Sequence, residues 1–308
     1  MKWHTEVEIK PLKDRIKYED EIFCLGSCFA GEIGAIMQNL RFKITVNPFG
    51  VLFNPGSVAM SIGRLMSRSQ FREEELILSG DVYKSFSHGS EFASLSKEEF
   101  LKNNNAILEK ASESFSRSGW IILTLGTSWV YKLKESREIV SNCHKLPDSL
   151  FERVLMEPDE IFSSIDKCVK DNPGKRWILT VSPVRHLKDG AHGNQLSKAR
   201  LLLAVERLAK ENANVFYFPA YEIFMDELRD YRFYASDMVH PSQESIKYIW
   251  ESFVKFAIDD GCRGMIKQVT DLNNLMNHRI LISGSTEHKK LLEKIEALRK
   301  KIESELLI

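Results

Sequence analysis

The sequence predicts an α/β protein, a three-layer α/β/α sandwich built on a mostly parallel sheet. Two observations predict it. Four short apolar runs, at 22–25, 120–125, 177–181 and 215–218, are rich in β-branched or aromatic residues and close on Gly, Ser or Pro. They do not alternate with polar residues, the pattern of strands covered on both faces. Stretches of helical period lie between them, and strands alternating with helices wind into such a sheet.

In chain order, the strand Ile22-Phe23-Cys24-Leu25 leads into a helix over 30–40, and a fifth strand is expected at Phe42-Lys43-Ile44-Thr45-Val46. The interval 47–118 is too long for one crossover and predicts extra helices with a small insertion, ending in a helix over 98–116. The stretch 130–150 follows a strand and predicts a hairpin or a loop over the site. Helices over 158–171 and 195–212 precede the third and fourth strands, the latter with Leu201, Leu202, Val205 and Leu208 on one face. Pro241 suits the first turn of a further helix over 241–258. Residues 1–260 then form one domain, and 261–308 a C-terminal helical extension. Its last helix, 287–308, sets Leu291, Ile295, Leu298 and Ile302 at spacings of four and three. That narrow seam reads as packing on the body of the protein, with a homodimer contact as the alternative.

With 308 residues, 43% of them hydrophobic, the chain can bury one large core or two small ones. Its 43 basic and 43 acidic residues cancel, which gives no electrostatic reason to expect a nucleic-acid partner. No stretch reaches the ~20 apolar residues of a membrane span, and no apolar leader opens the chain. A cytoplasmic location without membrane association is the expectation. The five cysteines, Cys24, Cys28, Cys143, Cys168 and Cys262, are odd in number and scattered, which reads as free thiols in a reducing compartment. No Cys-x-x-Cys or His-x-x-x-His spacing suggests a zinc site, and neither metal nor cofactor is expected.

Gly26-Ser27 sits where the first strand ends and a helix begins. Open parallel sheets bind ligands outside the carboxyl ends of their strands. The following helix start offers free N–H groups and partial positive charge, which can stabilise an oxyanion when Ser27 attacks a carbonyl. The competing reading is that Ser27 only caps the helix. Cys28 is a rival nucleophile, since a helix N-terminus lowers a thiol pKa. The later segment Asp237-Met238-Val239-His240-Pro241 supplies the partners. A spacing of three lets the Asp237 carboxylate fold back onto one imidazole nitrogen of His240 while the other points at a serine.

Arg185 and His186 follow the third long strand and should face the same crevice, Arg185 toward an anionic group and His186 toward a substrate hydroxyl. A structural loop role competes. Trp129 and Tyr131 would form an aromatic wall for a sugar, although core packing is the commoner fate. Asn142-Cys143-His144-Lys145 belongs to the loop over the site. His88 and His192 lie in Gly-rich loops and are expected in solvent.

The run Leu25-Gly26-Ser27-Cys28-Phe29-Ala30, with Asp237-Met238-Val239-His240-Pro241-Ser242, resembles the GSCFA family, which is related to the SGNH (GDSL-like) esterases and lipases. Further matching segments are Asn47-Pro48-Phe49-Gly50, Leu125-Gly126-Thr127-Ser128-Trp129 and Ser182-Pro183-Val184-Arg185-His186. The resemblance covers most of the chain to about residue 255. It implies a flavodoxin-like sheet and a Ser27/Asp237/His240 triad. It also implies an oxyanion hole from the Ser27 and Gly50 N–H groups and a third donor. The superfamily's Gly-x-Asn block falls on Gly126-Thr127-Ser128, so Ser128 stands where an asparagine amide would donate, with Asn54 or Asn142 as substitutes. The acid of the superfamily's Gly-Asp-Ser is absent here.

The function expected is that of a serine esterase-like hydrolase on an acyl ester, an O-acetylated carbohydrate being one such substrate. The alternatives are an acyltransferase and a non-catalytic carbohydrate-binding protein on the same fold.

Overall fold

The computed structural model describes residues 5–278 and 285–306. Five parallel strands form the central sheet: β1 (Glu21–Gly26), β2 (Lys43–Val46), β5 (Trp120–Leu125), β9 (Arg176–Val181) and β10 (Val215–Tyr217). They lie in the order β10-β9-β5-β1-β2. Numbered within this sheet alone the order is 2-1-3-4-5, the flavodoxin-like winding, with the chain reversing direction between β1 and β5.

The strands read as continuous apolar runs because both faces are covered. Phe23 and Leu25 of β1, Ile121 and Leu123 of β5 and Leu179 of β9 point into one core. That core is closed by α2 (Pro55–Ser67), α3 (Lys97–Arg117), α4 (Pro158–Lys170) and α5 (Gly190–Glu211). The alternate residues Ile22, Cys24, Ile122 and Ile178 point the other way, into a second core under α1 (Cys28–Asn39), α7 (Gln243–Ala257) and α8 (Arg263–Met276). The three-layer expectation therefore holds, and all five expected strands are present.

Between the layers the structure differs from the expectation in detail. The interval 47–118 holds two helices, α2 and α3, but also an antiparallel hairpin of β3 (Leu76–Ser79) and β4 (Val82–Ser85). The expected hairpin or loop near 130–150 is a three-stranded antiparallel sheet of β6 (Trp129–Leu133), β7 (Ile139–Val140) and β8 (Phe151–Leu155). Beyond β10 the short α6 (Ala220–Glu222) runs into a π turn, Ile223–Glu227. Helix α7 starts two residues later than Pro241 suggests, because the Ser242 hydroxyl caps it by accepting from Ser245 N–H. Pro241 instead pairs with Tyr234 as an isolated bridge. The last helix, α9 (Thr286–Leu306), lays its seam on α8: Ile302 is fully buried, and Ile295 and Leu298 pack on the same core. Residues 307–308, which the expected helix includes, lie outside the described residues.

One close approach fixes how β1 ends. Gly26 has φ +140°, and a side-chain carbon there would lie 2.2 Å from the carbonyl oxygen of Thr124 in the neighbouring β5. No rotamer relieves a clash with backbone. Gly26→Ala should therefore destabilise the protein by roughly 3 kcal/mol or more, in the range reserved for such core lesions. The measurement is urea unfolding, where the midpoint should fall with the slope unchanged.

Candidate active site

The chain leaves β1 under tight backbone control. Gly26 N–H donates to Asn47 Oδ1 (2.9 Å), the Gly26 carbonyl accepts from Leu52 N–H (2.9 Å), and Ser27 N–H donates to Thr124 O (3.0 Å). Ser27 then occupies the N-cap of α1 without capping it: its side chain accepts no backbone N–H. Elsewhere in the same protein the caps are used. Asn54 accepts from Ser57 N–H, Ser96 from Glu99 N–H and Ser242 from Ser245 N–H. Ser27 is 2% exposed, and its hydroxyl has no hydrogen-bond partner among the described residues. Leaving such a group unpaired costs roughly 1–3 kcal/mol, so it calls for an explanation other than helix capping.

Ser27 stands at the carboxyl end of β1, beside the carboxyl end of β5, where the winding of the sheet reverses. Gly126 closes β5, and the N–H groups of Gly126 and Thr127 both donate to Phe53 O (2.8 and 2.9 Å). A side-chain carbon on Gly126 would lie 3.3 Å from Ser27 Cβ and 3.4 Å from His186 Nε2. Glycine at this position therefore keeps the space between Ser27 and His186 open. A cavity of about 550 Å³ adjoins it, with Phe53, Asn54, Thr127, Trp129, Asn142 and His186 on its wall. Four residues singled out from the sequence, Asn54, Trp129, Asn142 and His186, thus meet in one cavity.

Asp237 and His240 form the expected pair. His240 Nδ1 lies 2.7 Å from Asp237 Oδ2, and Asp237 Oδ1 accepts from the N–H groups of Val239 (2.8 Å) and His240 (3.0 Å). These bonds, those with His240 foremost, pull the Asp237 carboxyl down to about 2. The carboxylate folds the chain into a tight turn, with Met238 at φ +59°. Arg185 holds that turn from outside: its N–H donates to Val239 O (3.2 Å), and its guanidinium lies 4.0 Å from the Tyr234 ring centroid. The imidazole is half-exposed, and its charge is felt at His186. No hydrogen bond joins His240 to Ser27 among the described residues. The two reach the same end of the sheet without touching.

The remaining expected residues divide. Arg185 serves the turn and does not line the cavity. The Ser128 hydroxyl is fully buried and donates to Ser197 O (3.1 Å), so it is turned into α5 and away from Ser27. The N–H of Gly50 donates to Asn47 O (2.9 Å). Asn142 is tied within its loop, accepting from His144 N–H and donating to Ser90 Oγ. Asn54 uses its oxygen to cap α2 and keeps its amide N–H groups uncommitted among the described residues. Trp129 and Tyr131 do form a wall, but Arg153 stacks on Trp129 (4.2 Å), and Lys188 donates to the Tyr131 hydroxyl (2.9 Å). Arg153 is itself held by an ion pair with Asp189. Burial raises the Cys28 thiol, the opposite of what a thiolate nucleophile needs. His88 is not in solvent: it is 1% exposed among Phe49, Phe71, Phe92 and Phe100, and burial pushes it down to about 3. His192 is exposed on the first turn of α5. Among the described residues no cluster of His, Cys, Asp and Glu could hold a metal ion, and no helix is long and apolar enough to cross a membrane.

Sequence reasoning missed Lys198. It lies three residues before Leu201 and seven before Val205, on the buried stripe of α5, and a lysine at that spacing was the available signal. Its amine is fully enclosed and donates to Gly126 O and Ser182 O, both at 2.6 Å, bridging the carboxyl ends of β5 and β9. Burial lowers its pKa from 10.5 to about 7. Between those values the unfolded chain holds a proton that the folded chain has released, so this group makes stability rise with pH from about 7 to about 10.5. Lys198→Met leaves two carbonyls without a donor and should be less stable overall. Its stability should also climb less steeply than wild type between pH 7 and 10, by at most roughly 1.4 kcal/mol per pH unit. Urea unfolding of both proteins across that range measures the difference.

Among curated proteins, none matches the chain. The model of the GSCFA family matches residues 21–253, a span that includes Ser27, Gly126, His186, Lys198, Asp237 and His240. The chain belongs to the GSCFA family.

Proposed function

We propose that this protein is a serine hydrolase of the SGNH kind, acting on an acyl ester through Ser27, His240 and Asp237. The observation that carries the reading is the Ser27 hydroxyl: an N-cap serine that does not cap, buried without a partner at the switch point of a parallel sheet. The Asp237–His240 pair at the same end of the sheet supports it. In the reaction Ser27 Oγ forms a bond to the ester carbonyl carbon, and its proton passes to His240 Nε2. The carbonyl electron pair moves onto oxygen. As that pair returns, the ester C–O bond breaks and the alcohol leaves with the proton from His240. Water then attacks the acyl-enzyme by the same route and releases the carboxylic acid. Asp237 fixes which imidazole nitrogen is free and balances the imidazolium that forms. The N–H groups of Cys28 and Phe29, in the first turn of α1, have no acceptor within the helix and add positive potential beside Ser27. Catalytic hydrogen bonds that are open in a free enzyme commonly close on substrate, and the exposed turn carrying His240 is the element that would move.

The cavity wall of Trp129, Tyr131 and Asn142 suits a polar alcohol such as an O-acylated carbohydrate. Transfer of the acyl group to a sugar hydroxyl in place of water uses the same residues. A cytoplasmic site of action accords with the free cysteines. That no hydrogen bond joins Ser27 to His240 among the described residues favours a second reading, a binding protein that no longer catalyses. A fluorophosphonate probe decides between them. Wild type and Cys28→Ala should label, Ser27→Ala should not, and His240→Ala should hydrolyse p-nitrophenyl acetate ~10²–10⁴-fold more slowly than wild type. No labelling of wild type at any pH would establish the binding reading instead.

A further inference from the structure

We propose that His186 supplies the side-chain hydrogen bond to the oxyanion, through Nε2–H, in the position where the superfamily pattern has an asparagine amide. The inference rests on Ser27 being the nucleophile. It begins from a vacancy in the donor set. The Ser128 hydroxyl is turned to Ser197, the Gly50 N–H to Asn47 O and the Ser27 N–H to Thr124 O. Those three donors are thus committed elsewhere and Asn142 is tied within its loop, which leaves the Asn54 amide and His186 as the side-chain donors on the cavity wall.

His186 fills that vacancy on four counts. Its Nε2 is buried and has no hydrogen-bond partner, as is true of Ser27 Oγ. Both groups border one small volume: the point 3.4 Å from His186 Nε2 and 3.3 Å from Ser27 Cβ is the one that Gly126 leaves empty by lacking a side chain. A carbonyl carbon bound to Ser27 would carry its oxygen into that gap. The ring is also held in place. Its backbone N–H donates to the buried Asn194 Oδ1 (2.9 Å), which anchors the loop that carries the ring, and the ring itself meets Phe53 edge-on at 6.0 Å. Such fixed donors stabilise a developing charge without reorganising. Finally, the imidazole stays neutral. Burial first, and then the charge of Lys198, lower it to about 4. A neutral imidazole donates a hydrogen bond to an anion and makes a poor proton acceptor. That leaves the base role to His240, whose other nitrogen is already oriented by Asp237.

The test compares wild type, His186→Ala and His186→Gln on p-nitrophenyl acetate, with fluorophosphonate labelling of Ser27 and thermal unfolding run beside it. Glutamine keeps an N–H donor and cannot act as a base. His186→Ala should lose ~10²–10³-fold in kcat with KM little changed, the usual effect of removing one oxyanion donor. His186→Gln should recover most of that loss and keep the acid limb of the wild-type pH profile. Two results overturn the proposal: an Ala variant within about threefold of wild type, or a Gln variant as inactive as Ala with the acid limb gone, which would make His186 the base. A wild type that neither hydrolyses nor labels overturns the nucleophile reading itself, and is separate from both.

Discussion

The contact between Gly26 and the Thr124 carbonyl is the constraint on which the site depends. Two parallel strands run so close at their carboxyl ends that no side chain fits between them. Because β1 ends there, the next N–H can bond across to Thr124 O while the Gly26 carbonyl receives Leu52 N–H. The chain is pinned on both sides as it turns into α1. Ser27 enters the helix from an extended conformation close to that of Ser242, yet its hydroxyl accepts no helix N–H where that of Ser242 does. Backbone bonds thus hold the proposed nucleophile in position, while its hydroxyl has no partner among the described residues.

A second constraint acts from beneath. Lys198 reaches the carbonyls of Gly126 and Ser182, which end two adjacent strands. A neutral amine has two N–H groups, and two acceptors await it. An ammonium would bring a third N–H into a fully enclosed space with no acceptor for it, which agrees with the depressed pKa. The amine therefore ties the ends of the two strands together, and the charge it carries acts to keep His186 unprotonated. The cavity above is less forgiving of charge than its lysines and arginine suggest, since Arg153 is paired with Asp189 and Lys188 with the Tyr131 hydroxyl.

What the sequence made legible, and what it did not, follows from the range of the interactions. The sheet was readable because strands buried on both faces carry their burial in consecutive residues, as in Trp120-Ile121-Ile122-Leu123. The Asp237–His240 pair was readable because three residues separate its members. The fate of Ser128 was not: its partner Ser197 lies 69 positions away, and no local pattern announces that bond. The amide of Asn142 is likewise decided at a distance, by the Ser90 hydroxyl 52 positions away. The antiparallel sheet around Trp129 was legible only as a hairpin or loop, since its half-buried strands and the two-residue β7 leave only faint alternation.

The two roles proposed for the histidines follow from their different surroundings. His240 lies half in solvent on an exposed turn, with the Asp237 carboxylate on one nitrogen. His186 lies against Phe53 in a buried loop, with a lysine nearer in effect than any acid. A proton gained there would meet the Lys198 charge before any dominant counter-charge. In the proposed reaction one imidazole would accept the proton while the other, held neutral, would steady a negative oxygen. If the two rings exchanged surroundings, the buried one could not release its proton to the leaving alcohol, and the exposed one would lose its hydrogen bond to water before substrate arrived.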